Sequence, residues 1–108
     1  MARLAMAATL AMLCSAAPSR AQAEEVPDGC PEIIVATFGD RAPQACRVSL
    51  CESTWRSWAV SPDGQNIGIF QINVVWGEHA TTDLERNVAF AYELSRQGTD
   101  WSAWSCQP

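Results

Sequence analysis

The amino-acid sequence predicts a small, mainly α-helical domain with one β-hairpin, an α+β arrangement stapled by disulfides. Three observations carry that expectation. Two segments place apolar residues at helical spacing, a turn-rich segment separates them, and four cysteines fall in the 85 residues left when the first 23 of 108 are set aside.

Those first residues, Met1 to Ala23, have the layout of a secretory signal: Arg3 near the start, an apolar run from Leu4 to Leu13, and small residues at Ala21-Gln22-Ala23. The mature chain is then expected to begin at Glu24. The apolar run is about half of the ~20 residues a bilayer requires, so a membrane span is not expected. Cys14 follows Ala11-Met12-Leu13, which lacks the small residue that a lipid-attachment site resembles, and should leave with the signal. Residues 24–40 are read as an arm and first element and 41–108 as the functional core, with 24–108 forming one globular unit.

Residues Glu24 to Gly29 are polar and read as a loose arm. The run Glu32 to Phe38 suits either a strand or a buried helical turn, and Gly39 ends it. Asp40 is a good N-cap, Pro43 fits a first helical turn, and Ala45, Val48, Cys51 and Trp55 share helical spacing, so a helix is expected from Arg41 to Trp55. Ser61-Pro62-Asp63-Gly64 is strong turn chemistry, which makes residues 56–75 an irregular hairpin or loop. Thr82-Asp83-Leu84-Glu85 resembles a capping box, and Leu84, Val88, Ala91 and Tyr92 form one apolar stripe toward a stop at Gly98.

So short a chain has little apolar area to bury, so covalent staples are expected. Cys30, Cys46, Cys51 and Cys106 are even in number and contain no C-x-x-C spacing, which favours two disulfides over structural zinc; no metal or other cofactor is expected. Cys46 and Cys51 point about 140° apart on a helix and should not pair with each other. Two pairings remain open on this argument.

Charge narrows the function classes. The mature chain sets five arginines against twelve acids, a net −7, and has no lysine. Nucleic acid is therefore an improbable partner, and tight adsorption to anionic wall polymers is disfavoured.

The residues with chemical promise are Cys51-Glu52-Ser53 and, further on, Gly68-Ile69-Phe70-Gln71-Ile72-Asn73. Glu52 near a helix C-terminus with Trp55 one turn away would be favoured in its protonated form. A carboxyl held protonated can donate to a glycosidic oxygen. Two-carboxylate glycosidases need a second acid, for which Asp63 is the one well-placed candidate, although Ser-Pro-Asp-Gly is also simply a good turn. Trp55, Trp58 and Trp76 could stack on sugar rings, Trp76 being the best placed, while most tryptophans of so small a domain must be core. Asn87 lies among Leu84, Val88 and Ala91 on the apolar face, where a buried amide must find partners; structural support of the hairpin is its expected role. His79 has no surrounding ligand set and is expected at the surface.

Glu52-Ser53, Gly68-x-x-Gln71-Ile72 and Asn87, in this order, resemble the lysozyme-like superfamily of goose-type lysozymes and lytic transglycosylases over roughly Arg41 to Gln97. The resemblance implies a compact lysozyme-like domain in which Glu52 is the sole catalytic acid. It also implies that Gly68 and Gln71 wall the cleft, the glycine letting a sugar approach the backbone; Ser53, Asn73, Trp76 and Asp63 are read beside them as candidate substrate contacts. The chain is also similar to the compact resuscitation-promoting factors, which have a Cys-Glu-Ser start and a Trp-x-x-Trp segment before a cysteine, here Trp101, Trp104 and Cys106. That similarity implies a Cys51–Cys106 bond, leaving Cys30–Cys46. In the chain-entropy model these contribute roughly 4 and 3 kcal/mol. It further implies a single catalytic domain without a separate wall-binding module. The late Ala-Tyr-Asn segment of the larger transglycosylases is missing.

The implied function is a secreted, periplasmic or cell-wall-associated muralytic glycosidase. It would act as a monomer on peptidoglycan glycan strands, cleaving the β-1,4 bond between N-acetylmuramic acid and N-acetylglucosamine, with no membrane contact once the signal is removed. Without a second carboxylate, the substrate's acetamido group or muramic 6-hydroxyl would supply the nucleophile. The alternatives are a catalytically silent glycan-binding module and a disulfide-stapled structural or inhibitor protein.

Overall fold

A computed structural model describes residues 24–108; the expected signal and Cys14 lie outside the described residues. Helix α1 (Glu32–Phe38) is followed by a 3₁₀ turn (Gly39–Arg41) and helix α2 (Ala42–Ser53). Strands β1 (Asn66–Ile67) and β2 (Ile72–Asn73) form the hairpin, a second 3₁₀ segment (Val74–His79) leads away from it, and helix α3 (Leu84–Leu94) precedes a coiled tail. The architecture is the expected one: mostly helical, with a two-stranded antiparallel sheet and two disulfides.

The ambiguous run after Pro31 is helical. Ile34 and Phe38, one turn apart, are its buried residues, and Gly39 ends it at φ 54°. Asp40 does not cap α2: it lies inside the 3₁₀ turn, Arg41 occupies the N-cap without a side-chain bond, and Pro43 takes its place in the first turn. The helix also stops two residues earlier than expected. Thr54 and Trp55 adopt left-handed backbone at φ 56° and 59°, and the Thr54 N–H closes on the Leu50 carbonyl at 2.8 Å. Two such residues cost of order 1–2 kcal/mol each, and they turn the chain sharply off the helix.

The N-terminal arm is tied down rather than loose. Glu24 pairs with Arg47 at 3.0 Å and accepts from Gln44, while the Cys30–Cys46 disulfide fixes the arm's far end to α2. In the hairpin Asn66 faces Asn73 and Ile67 faces Ile72, with Val60 bridging to Ile67 from outside. The capping box is displaced by one residue: Asp83, not Thr82, is the N-cap of α3 and accepts from the Arg86 N–H at 2.9 Å. Helix α3 ends at Leu94, and Arg96, Gln97 and Gly98 follow with left-handed backbone.

The core joins α1, α2 and α3 to the hairpin and tail. Phe38 contacts Phe70, Tyr92 and Trp101 with ring centroids 5.2–5.7 Å apart, and Trp101 meets Trp104 at 5.0 Å. Both tail tryptophans are therefore core residues. Trp104 adds a directional tie, its Nε1–H donating to the Phe70 carbonyl at 2.8 Å.

Asn87 is 0% exposed and fully engaged. Its Oδ1 accepts from the Phe70 N–H at 2.9 Å, and its Nδ2 donates to the Ile67 carbonyl at 3.0 Å and to the Thr81 carbonyl at 2.9 Å. Gly68 makes room for this amide: at φ 84°, an added methyl would collide with Asn87 and the Thr81 carbonyl. Substituting Asn87→Ala strands one N–H and two carbonyls in the interior, so urea denaturation should show a loss of about 3–5 kcal/mol. Gly68→Ala should lose a comparable amount in the same measurement.

Candidate active site

Glu52 sits on the last turn of α2, half-buried, where the helix meets the C-terminal tail. A groove of about 230 Å³ opens over it, lined by Glu52, Asn66, Gln71, Ala103, Trp104 and Ser105. Three parts of the chain meet there: the end of α2, the hairpin and the tail.

The carboxylate is held from the tail side. Its Oε2 accepts from the Cys106 N–H at 3.1 Å and, more weakly, from the Ser105 hydroxyl at 3.4 Å. The Cys51–Cys106 disulfide, next in sequence to Glu52, keeps those donors in place. Among the described residues no protein group donates to Oε1, so one oxygen is anchored and the other is free for a ligand.

The environment differs from the expected apolar one. Trp55 is not among the groove residues; the left-handed turn carries its indole to Gly29, and its Nε1–H donates to the Cys46 carbonyl and the Ser49 hydroxyl, each at 3.1 Å. Glu52 is consequently not largely buried.

Gln71 is in the wall. It adopts φ 51°, and its Nε2 donates to the Ala59 carbonyl at 3.2 Å and the Gly68 carbonyl at 3.0 Å. Gly68 itself is buried, and the space its missing side chain leaves is taken by Asn87 rather than left open to a sugar. Ser53 is 2% exposed and works as a tie, its hydroxyl donating to the Ile69 carbonyl at 2.7 Å and thereby fastening α2 to the hairpin. Asn73 stands behind the wall, donating to Asn66 at 3.1 Å.

Two further candidates lie elsewhere. Asp63 is exposed in its turn, accepting from the Ser61 hydroxyl at 2.6 Å and the Gln65 N–H at 3.0 Å, and it does not line the groove. The Ser61 hydroxyl, followed by the Gln65 amide, holds its pKa below 3.8. Trp76 is likewise outside the groove lining: it packs on Phe90 of α3 at 5.5 Å. His79 is exposed and stacks on the same ring at 4.1 Å. Beside them lies a shallow hollow of about 260 Å³ between His79 and α3, lined by Arg86, Ala89, Phe90 and Glu93. It is slightly larger than the groove but shares no residue with the Glu52 region.

Sequence reasoning missed Asn66, Ala103 and Ser105. No sequence signal marked them: the register that sets Asn66 opposite Asn73 and the path of the tail to the Cys51–Cys106 bond come from tertiary structure. Among the described residues no three His, Cys, Asp or Glu side chains gather as a metal site.

Two outcomes follow from this geometry. Replacing both Cys51 and Cys106 by serine opens a loop of 55 residues and should cost about 4 kcal/mol in denaturant unfolding, against about 3 for the 16-residue Cys30–Cys46 loop. Asp63 should titrate below 3.8 by NMR. Because its folded pKa is the lower one, its stabilising contribution is present above the ordinary carboxylate range and lost as pH falls through the folded value. Asp63→Asn should remove that acid-side component and leave the groove unchanged.

No curated protein and no solved structure matches this chain. A family model does, that of the lysozyme-like domain, over residues 34–106. The match runs from α1 to the disulfide-bonded Cys106 and takes in Glu52, both strands, Asn87 and the tail tryptophans. It covers well over half of the chain. The chain belongs to the lysozyme-like domain family.

Proposed function

We propose that this protein is an exported glycosidase of peptidoglycan, cleaving the β-1,4 bond between N-acetylmuramic acid and N-acetylglucosamine, with Glu52 as the general acid. The observation that carries the reading is that Glu52 is the one carboxyl lining the groove, anchored through Oε2 with Oε1 open. Membership of the lysozyme-like family supports the substrate class. Two disulfides support an oxidising compartment, and no described helix is long and apolar enough to cross a membrane.

In this mechanism protonated Glu52 gives its proton to the bridging oxygen as the anomeric C–O bond breaks. The groove lining offers no second carboxylate as a nucleophile, so the substrate supplies one. The acetamido oxygen can close on the anomeric carbon, with water later opening that ring under base catalysis by Glu52. Alternatively the muramic 6-hydroxyl attacks, returns its proton to Glu52 and leaves a 1,6-anhydro end. The hydrogen bond from the Cys106 N–H fixes the carboxyl in one orientation, which saves reorganisation at the moment of transfer.

The test is the release of soluble muropeptides from purified peptidoglycan. Glu52→Gln should lose 10²–10⁴-fold in rate, about 3–5 kcal/mol of barrier, while keeping its unfolding midpoint close to wild type. His79 lies outside the groove, so His79→Ala should keep the wild-type rate. Mass spectrometry of the products separates the two routes by the presence of anhydro ends. Equal rates for wild type and Glu52→Gln would sink the reading.

A further inference from the structure

The two disulfides differ in how far a reductant can reach them. Cys51 is exposed and its partner Cys106 half-buried, so the bond beside Glu52 is open to solvent. The Cys30–Cys46 bond is better guarded, since Cys46 is 0% exposed inside the core. A thiolate must approach a disulfide sulfur directly to displace its partner, so access separates the two bonds.

Breaking the exposed bond has a local consequence. Up to Trp104 the tail is held by other means: Trp101 and Trp104 are core residues, and the Trp104 indole donates to the Phe70 carbonyl at 2.8 Å. Gln107 ties the end of the chain back to the same turn, its Nε2 donating to the Trp101 and Trp104 carbonyls at 3.0 and 2.7 Å. None of these hydrogen bonds goes to α2. Among the described residues, the hydrogen bonds that join Ser105 and Cys106 to α2 are the two on Glu52 Oε2, at 3.4 and 3.1 Å. Without the covalent link, water competes for both donors and for the carboxylate.

We infer that Cys51–Cys106 is a redox switch acting on Glu52. Oxidised, it keeps the Cys106 N–H on the carboxyl; reduced by a dithiol, small or carried on a protein, it lets the acid go without unfolding the domain. This rests on the glycosidase reading and adds the regulation of the same site. One thiolate of the dithiol attacks the Cys51 sulfur, the S–S bond breaks, and Cys106 leaves as a thiolate that takes up a proton. The second thiolate then attacks the mixed disulfide and frees Cys51 as a thiol. Two electrons and two protons pass to the protein, and the dithiol ends as a disulfide. A freed carboxyl is no longer held in one orientation, which lowers the rate of proton transfer more than it weakens binding.

The experiment equilibrates wild-type protein with dithiothreitol at rising ratios of reduced to oxidised reagent, then maps the free thiols by alkylation and peptide mass spectrometry. Cys51 and Cys106 should become alkylated at ratios where Cys30 and Cys46 remain joined. At those ratios muropeptide release should fall at least about tenfold in kcat, with the apparent KM held within about twofold, and should return on reoxidation. Changes in the ¹H–¹⁵N spectrum should be confined to the end of α2 and to residues 105–107. A Cys51→Ser/Cys106→Ser protein should have the reduced rate and ignore dithiothreitol, whereas Cys30→Ser/Cys46→Ser should still respond. Simultaneous reduction of both bonds, unfolding when the first is reduced, or an unchanged rate overturns the inference. Should the serine variants not fold, the wild-type titration decides alone. If the oxidised protein releases no muropeptides, the glycosidase reading fails by itself, and the switch is judged by the alkylation order and by whether the Cys106 amide resonance moves on reduction.

Discussion

The β wall of the groove depends on one buried amide. Asn87 closes on the Phe70 N–H and on the Ile67 and Thr81 carbonyls, so its three bonds join α3, the hairpin and the segment between them. Ile67 follows Asn66 and Phe70 precedes Gln71, which means that the clamped peptide groups are the immediate neighbours of the two groove amides. A two-residue strand pair has little stability of its own in water. Its geometry here is set from behind by a helix, and Gly68 is the concession that lets the helix amide come so close.

Phe70 links this clamp to the opposite wall. Its N–H is taken by Asn87 and its carbonyl by the Trp104 indole, so the tail is registered against the same peptide unit. From Trp104 the chain passes Ser105 to Cys106, whose N–H holds Glu52 and whose sulfur joins Cys51. Ser53, beside Glu52, returns to the hairpin through the Ile69 carbonyl. The helix end, the tail and the hairpin form a closed ring of bonds around the groove. A domain this small has a limited apolar core, and such a ring lets it hold groups from three parts of the chain in register without a larger scaffold.

Much of this was legible in the sequence, and the misses share a cause. Helical periodicity, Pro43 and the Ser-Pro-Asp-Gly turn located the elements, and Asn87 among apolar neighbours identified itself as a buried amide in need of partners. The cysteine pairing was carried by resemblance, since helical geometry alone left two choices. The caps fell one residue off at both helices, because Asp40 was drawn into a 3₁₀ turn and the stronger acceptor Asp83 displaced Thr82. Trp55 and Trp76 were misjudged for a more basic reason. Spacing says that a tryptophan is near a motif, but two left-handed residues swing one indole to Gly29, and a 3₁₀ segment lays the other on Phe90. Asn66 and Ser105 were invisible for want of a register and a tail path, which only tertiary structure supplies.

The composition of the groove has a consequence for how it could select a ligand. No arginine is among its lining residues: Arg47 is paired with Glu24 on α2, and Arg86 lies by the hollow beside α3. With a net charge of −7 on residues 24–108, the protein has no local cation in the groove to gather an anion against its overall field. Whatever binds beside Glu52 must be chosen by shape and by hydrogen bonds to neutral amides, whose strength depends on their being held still. The two groove amides are held by backbone groups, Asn66 through Asn73 and the Val75 N–H, Gln71 through the Ala59 and Gly68 carbonyls. Fixed dipoles of this kind discriminate by orientation where a charged side chain would discriminate only by sign.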